Sequence, residues 1–233
     1  MLAVAVLPAL DEEGSVARVV RELAPLVDRV VVVDNGSRDR TARIAQEAGA
    51  DVVVEPERGY GAACLAGVGR ARALGAEVLL FLDADGSDDP AEAPRLLAPV
   101  RAGEVDLVLG VRPPHVAEPG ALTPVQRFGN WLAPLAMRLA TGARYRDMPP
   151  YKAIRLDAFD RLDVRERGHG FTIELLLGAH AARLRVREID VRCRVRQAGV
   201  SKVSGTVVGS ARAGARILGT IARHARRPGR WTP

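Results

Sequence analysis

The chain has 233 residues, 48% of them hydrophobic and 4% aromatic, and a net charge of +6. That length fits one large domain, or one domain with an appended tail, with ample material for a core. Cys64 and Cys193 are far apart, and His115, His169, His180 and His224 are scattered, so neither a zinc centre nor a nucleophilic triad is indicated and the cysteines read as packed, reduced thiols.

The first elements alternate. Ala3–Leu7 is predicted as a buried strand; the apolar start is cut by Pro8 and by Asp11-Glu12-Glu13, which excludes a signal peptide. Ser15–Leu26 follows as a helix with apolar positions at Val16, Val19, Val20 and Leu23. Then come a strand at Arg29–Val33, a helix at Asp39–Ala48, a strand at Asp51–Glu55, a helix from about Gly61 to Leu74 and a strand at Glu77–Leu82. Pro90 sits where the first turn of another helix tolerates proline, and Asp106–Leu109 makes a fifth strand. A proline-rich connection, 111–124, leads to a helix at Val125–Ala140. "DMPPYKAIR" at 147–155 reads as a turn entering a short strand. A helix at Thr172–Ala182 precedes a long strand near Arg185–Val195, with Ile189, Val191, Cys193 and Val195 on one face and Arg192, Arg194 and Arg196 on the other. A last helix, about Thr206–Arg227, gathers Arg212, Arg216, Arg223 and Arg227 within about 60° at 100° per residue, opposite Val207, Ile217, Leu218 and Ile221. No apolar stretch approaches the roughly 18 residues that suggest a membrane span. The expected location is therefore cytoplasmic, free or on the inner face of a membrane.

Strand–helix alternation with continuous Val/Leu strands predicts an α/β fold with a mostly parallel sheet covered on both faces. Ligands in such sheets sit outside the carboxyl ends of the strands. Four polar clusters fall there: Asp11-Glu12-Glu13, Asp34-Asn35-Gly36, Arg58-Gly59-Tyr60-Gly61 and Asp83–Asp89. Charge is divided along the chain, with +11 over residues 183–233 and −5 over residues 1–182. A phosphorylated substrate, an anionic membrane surface or a nucleic acid could each answer the basic end. Trp231 is the only aromatic in that region, and without a stacking platform no nucleic acid is expected.

In "FLDADGSDDP", residues 81–90, Asp83 and Asp85 stand two apart where a strand ends, so both carboxylates can reach one point and hold a divalent ion completed by substrate phosphates. Asp88 and Asp89 read instead as caps of the helix near Pro90. "RGYGAA", 58–63, offers Gly59, Gly61 and a helix N-terminus for phosphate, or simply a turn. Asp34-Asn35 is either a tight turn or a contact for a base. Glu12 has the same standing, while Glu13 favours a helix N-terminus.

"VAVLPALDEEGSV", "VVVVDNGSRDRT", "ERGYGAACLAGV" and "LLFLDADGSDDP" together resemble the nucleotide-sugar-binding half of the inverting glycosyltransferases of family 2, with the GT-A fold. Within that family the chain resembles the dolichyl- and polyprenyl-phosphate mannose synthase-like members, and "GFTIELLLGAHAARLRVREIDVR" and "GVSKVSGT" extend the likeness over nearly the whole chain. The resemblance implies a glycosyltransferase domain at 1–205, with a nucleotide-sugar half at 1–110 and an acceptor half at 111–205, and a basic helical tail at 206–233. It implies Pro8, Leu10, Glu12 and Asp34 as nucleoside contacts, Asp83 and Asp85 as the DxD element with Mg²⁺ or Mn²⁺, and Ser201 and Lys202 with nearby arginines as the phosphate-binding segment.

The expected reaction moves a sugar from a UDP- or GDP-linked donor to an acceptor, with a polyprenyl phosphate favoured. A phosphate acceptor is already largely ionised near neutral pH, its second pKa being about 6, so no strong base is needed. Arg194, Arg196 and Lys202 would hold it, and the terminal helix could lie on an anionic bilayer. A hydroxyl acceptor would need a base, for which Asp147 and Glu174 are the candidates, Glu174 being otherwise an exposed helix carboxylate. A sugar-phosphate nucleotidyltransferase is the nearer rival, although its glycine-rich loop would follow the first strand, where this chain is acidic. A nucleic-acid-binding module is the remote one.

Overall fold

The computed structural model describes residues 1–113, 115–121, 123–196 and 218–223. Among them run β1 (Ala3–Ala9), α1 (Val16–Leu23), β2 (Arg29–Asp34), α2 (Thr41–Glu47), β3 (Asp51–Val54), α3 (Tyr60–Ala73), β4 (Val78–Phe81), α4 (Ala93–Arg101), β5 (Leu107–Val111), α5 (Pro124–Thr141), β6 (Lys152–Arg155), α6 (Leu156–Arg161), α7 (Phe171–Ala181) and β7 (Val186–Asp190). All seven strands form one sheet in the order β3-β2-β1-β4-β6-β5-β7.

Strand alternation divides the core between the two faces. Ala3, Ala5 and Leu7 of β1 pack with Val16, Val19, Val20 and Leu23 of α1 and Leu96, Leu97 and Val100 of α4. Val4 and Val6 of the same strand pack with Ala63, Cys64 and Val68 of α3, Met137 of α5 and Ile173 and Leu177 of α7. A strand buried on both faces has no use for polar alternation, which is why β1, β2 and β4 read as unbroken apolar runs.

The pairing is parallel except at β6, which runs antiparallel to both β4 and β5. That reversal was not foreseen, and it matters for the site. Phe81 at the end of β4 is registered with Lys152 at the start of β6, and Leu109 near the end of β5 with the same lysine. The turn before β6 therefore emerges at the edge where β4 and β5 finish. On the other side, β1 lies between β2 and β4, so chain order reverses there and opens a crevice outside the carboxyl ends of β1 and β4.

Three elements differ from expectation. The long strand over 185–195 stops at Asp190, because its partner β5 ends at Val111, registered with Asp190, just before Pro113. Residues 191–196 continue as irregular chain with isolated bridges from Cys193 to Asp88 and Ala117. At Pro90 a 3₁₀ turn, Pro90–Glu92, precedes the α-helix. The six-residue α6 is too short to leave a periodic signal in the sequence. Of the predicted tail helix, residues 218–223 are described and helical, with Thr220 and Ile221 buried and Arg223 paired to Glu166 at 2.8 Å; the rest lies outside the described residues.

Candidate functional site

Glu12, from the loop after β1, is buried, and its backbone N–H donates to Thr41 Oγ1 at 2.8 Å. Pro8 and Leu10 lie half-buried beside it at the strand's end. Asp34 closes β2, and its Oδ1 accepts from the Ser37 N–H at 3.2 Å, so the turn chemistry is present and the carboxylate stays at the crevice edge.

Across the crevice, β4 delivers Asp83 and Asp85. Asp85 accepts the Ser87 N–H at 2.8 Å, a local turn that folds the loop back on itself. Asp88 does not cap a helix. Its Oδ2 accepts the Asp83 N–H at 3.2 Å, whereas Asp89 is the cap, its Oδ1 accepting from the Ala91 N–H at 3.0 Å. Three carboxylates are thus crowded into one turn. Burial, then the charges of Asp85 and Asp88, push the Asp83 carboxyl well up. Burial also lifts Asp88 to about 6, although the Arg112 guanidinium pulls the other way.

The cations around this turn come from three places. Arg194 bridges Glu22 Oε2 at 2.9 Å and Asp89 Oδ1 at 2.6 Å. Arg196 reaches Asp85 Oδ2 at 3.1 Å and pairs with Glu12. The two arginines expected to hold a phosphate are therefore engaged with the carboxylates of the crevice. Ser201 and Lys202 lie outside the described residues.

Two further cations escaped the sequence analysis. Lys152 is fully buried, its Nζ donating to the carbonyls of Pro149 (3.0 Å) and Pro150 (2.9 Å) and lying 5.6 Å above the Phe81 ring. Burial lowers it to about 8. A lysine between Tyr151 and Ala153-Ile154, with apolar neighbours on both strand faces, was the signal available. Arg112, just past β5, makes a two-pronged pair with Asp147, Nε–Oδ2 3.0 Å and Nη2–Oδ1 3.3 Å. Burial opposes its charge, yet Asp147 holds it above its ordinary value.

Three expected site groups are already engaged within the chain. Gly59 and Gly61 pack closely against residues 166–168. A Cβ on either would lie 2.2 Å and 2.0 Å from the carbonyls of Arg167 and Glu166, and the Gly61 and Ala62 N–H groups donate to Gly168 O (3.1 Å) and Arg167 O (2.8 Å). Asn35 ties loops together: its amide donates to Glu55 O (3.0 Å) and Glu57 O (2.7 Å), and its Oδ1 accepts from the Gly59 N–H (2.7 Å). Glu174 is buried at 3% exposure, not an exposed helix carboxylate, and its Oε2 accepts the N–H groups of Arg165 (2.8 Å) and Glu166.

Packed, partly dehydrated carboxylate oxygens suit a hard divalent cation such as Mg²⁺ or Mn²⁺. The raised Asp83 and Asp88 carboxyls and the guanidinium drawn onto Asp85 each register a local shortage of positive charge. Among the described residues no three His, Cys, Asp or Glu side chains are arranged to hold an ion unaided, so oxygens of a bound substrate would complete its shell.

The family model described as glycosyl transferase family 2 matches residues 4–163. An uncharacterised glycosyltransferase of Mycobacterium tuberculosis is 42% identical over 206 residues, 88% of this chain and 91% of that one. An undecaprenyl-phosphate mannosyltransferase of Micrococcus luteus is 31% identical over 201 residues, 82% of each chain. Among solved structures, glucosyl-3-phosphoglycerate synthase from M. tuberculosis, in complex with Mn²⁺, UDP and glucosyl-3-phosphoglycerate, has a TM-score of 0.77 at 22% identity, covering 97% of this chain and 80% of that chain.

Proposed function

The chain belongs to glycosyl transferase family 2 and has the GT-A fold, and from that premise we propose that this glycosyltransferase moves a sugar from a UDP- or GDP-linked donor onto a phosphate-bearing acceptor, a polyprenyl phosphate in the first instance. The observation that carries the proposal is the convergence of Glu12, Asp83 and Asp85 at the carboxyl ends of β1 and β4. Pro8, Leu10, Glu12 and Asp34 would line the nucleoside. Asp83 and Asp85 would hold Mg²⁺ or Mn²⁺ against the donor diphosphate, where such an ion screens the charge of the leaving group.

An acceptor phosphate oxygen attacks the anomeric carbon as the bond to the diphosphate breaks, with that bond's electron pair leaving on the nucleotide. The configuration inverts, and no proton is transferred. The absence of a proton step agrees with how the two base candidates are engaged. Asp147 is neutralised by Arg112, and Glu174 is spent on backbone N–H groups, so neither is set to deprotonate a hydroxyl. Undecaprenyl phosphate, named for one relative, supports the same chemistry, whereas phosphoglycerate, bound as its glucosyl derivative in the structural neighbour, offers a hydroxyl besides its phosphate and would need a base to attack through it. A soluble phosphorylated acceptor is the second reading, favoured by the phosphoglycerate of the structural neighbour.

The test is a transfer assay with UDP-glucose and GDP-mannose, Mn²⁺ or Mg²⁺, and three acceptors: undecaprenyl phosphate, 3-phosphoglycerate and undecaprenol. Product is expected with a phosphorylated acceptor and is expected to fall at least about 100-fold in Asp85→Asn, as when a charge-stabilising contact is lost. Transfer to undecaprenol alone, or full activity in Asp85→Asn, would refute the proposal.

A further inference from the structure

The loop at 58–61 leaves one side chain without an evident task. Tyr60 opens α3 with its ring edge-on to Phe171, centroids 6.1 Å apart, and the Phe171 ring lies 5.7 Å from that of Phe81. The phenol is thereby turned into the core on the α3 side of β4. Its hydroxyl is the one buried side-chain nitrogen or oxygen among the described residues with no hydrogen-bond partner. Burial, then the charges of Cys64, Asp83 and Asp88, holds the phenol well above its ordinary range, so it keeps its proton and stands as a donor. Cys64, one helical turn along, offers it only a weakly polar sulfur.

Asp83 lies on the same side of the sheet. Phe81 packs with α3 and α7, whereas Leu82 and Ala84 pack with α1 and α4 on the other face, so alternation turns Asp83 toward Tyr60. No group among the described residues donates a hydrogen bond to the Asp83 carboxyl. Lys152 has no donor to spare, since its ammonium is committed to Pro149 O at 3.0 Å, Pro150 O at 2.9 Å and Thr172 Oγ1 at 3.4 Å.

A buried hydroxyl without a partner is costly to keep, and a carboxylate that ligates a cation is ordinarily held by a further donor behind it. Each shortage answers the other. Resting on the reading that Asp83 and Asp85 hold the divalent ion, we propose that Tyr60 is a positioning residue whose hydroxyl donates to the Asp83 carboxylate when the ion is bound. The bond fixes the direction in which that carboxylate faces the ion. Tyr60 itself is no ligand.

Tyr60→Phe removes the oxygen and leaves the ring. Mn²⁺ binding to the full chain is followed by electron paramagnetic resonance in the presence of UDP or of GDP, with metal-free thermal midpoints alongside. Removing an unpartnered buried oxygen should leave the midpoint equal or higher. Mn²⁺ affinity should nevertheless weaken about 10–100-fold, the usual effect of losing a group behind a metal ligand. Asp85→Asn is titrated beside it to separate this inference from the metal reading. Weakened binding in Asp85→Asn with parental affinity in Tyr60→Phe would overturn the role of Tyr60 alone and assign its hydroxyl to an internal water. Parental affinity in Asp85→Asn, or no Mn²⁺ uptake by the parent with either nucleotide, would overturn both. A lowered metal-free midpoint in Tyr60→Phe would make the oxygen structural and overturn the proposal as well.

Discussion

Gly61 gives the sharpest test of how the crevice is built. In Gly61→Ala the new Cβ would stand 2.0 Å from Glu166 O and 2.8 Å from Arg167 C, both backbone atoms that no rotamer can move aside. Restoring ordinary contact requires shifting the 166–168 chain by more than an ångström. That shift breaks Gly61 N–H to Gly168 O and Ala62 N–H to Arg167 O. Overpacking costs about 1–3 kcal/mol and each orphaned buried group about 1 kcal/mol or more, while alanine returns up to about 1 kcal/mol of helix propensity. The net expectation is a loss of about 2–4 kcal/mol, or roughly 5–15 °C in Tm for a chain of this size. Gly69→Ala is the control in the same helix: no atom lies within 4 Å of its Cβ, so only the propensity gain applies. Differential scanning calorimetry of both variants should show shifts of opposite sign. A Gly61→Ala midpoint within 2 °C of the parent, on the order of the error of such scans, would refute the packing account.

Arg196→Ala removes a guanidinium 3.1 Å from Asp85 Oδ2. A pair so placed is worth roughly 1 kcal/mol once screened, so Mn²⁺ affinity without donor should rise about fivefold by calorimetry; an unchanged affinity would show that the arginine does not compete with the ion. Asp106 is gripped by Arg185, whose side-chain hydrogen bonds at 2.9 Å and 3.2 Å hold the carboxyl below its usual value. A depressed folded-state pKa adds stability above the unfolded value of about 3.9, and the addition is lost as pH falls through the folded value. Asp106→Asn should therefore lower the urea midpoint at pH 7, with the gap closing below about pH 4. A gap independent of pH would assign the cost to packing instead.

The first four strands were legible because their determinants are local. Apolar runs of the right length became β1, β2 and β4, and the polar residues after each had to fall on one edge once the strands were parallel. Asp83 and Asp85 stand out in the sequence because a strand end needs no pair of acids. What escaped was set by chain segments distant in sequence. Nothing near Gly59 or Gly61 announces that residues 166–168 will pack directly against them. The partner of Glu12 and Asp85, Arg196, lies still farther along the chain, 184 residues from Glu12. The reversal of β6 was hidden for the same reason, since a four-residue strand carries no mark of direction, and with it went the burial of Lys152.

That lone reversed strand also has a topological corollary. The chain departs from β5 at Val111 and rejoins the sheet at Lys152, in the neighbouring lane and at the same rim. Whatever is spliced into residues 112–151 hangs from two adjacent anchor points and leaves the hydrogen-bond ladder untouched. An insertion or deletion in that excursion would leave the pairing of β1 to β4 as it is.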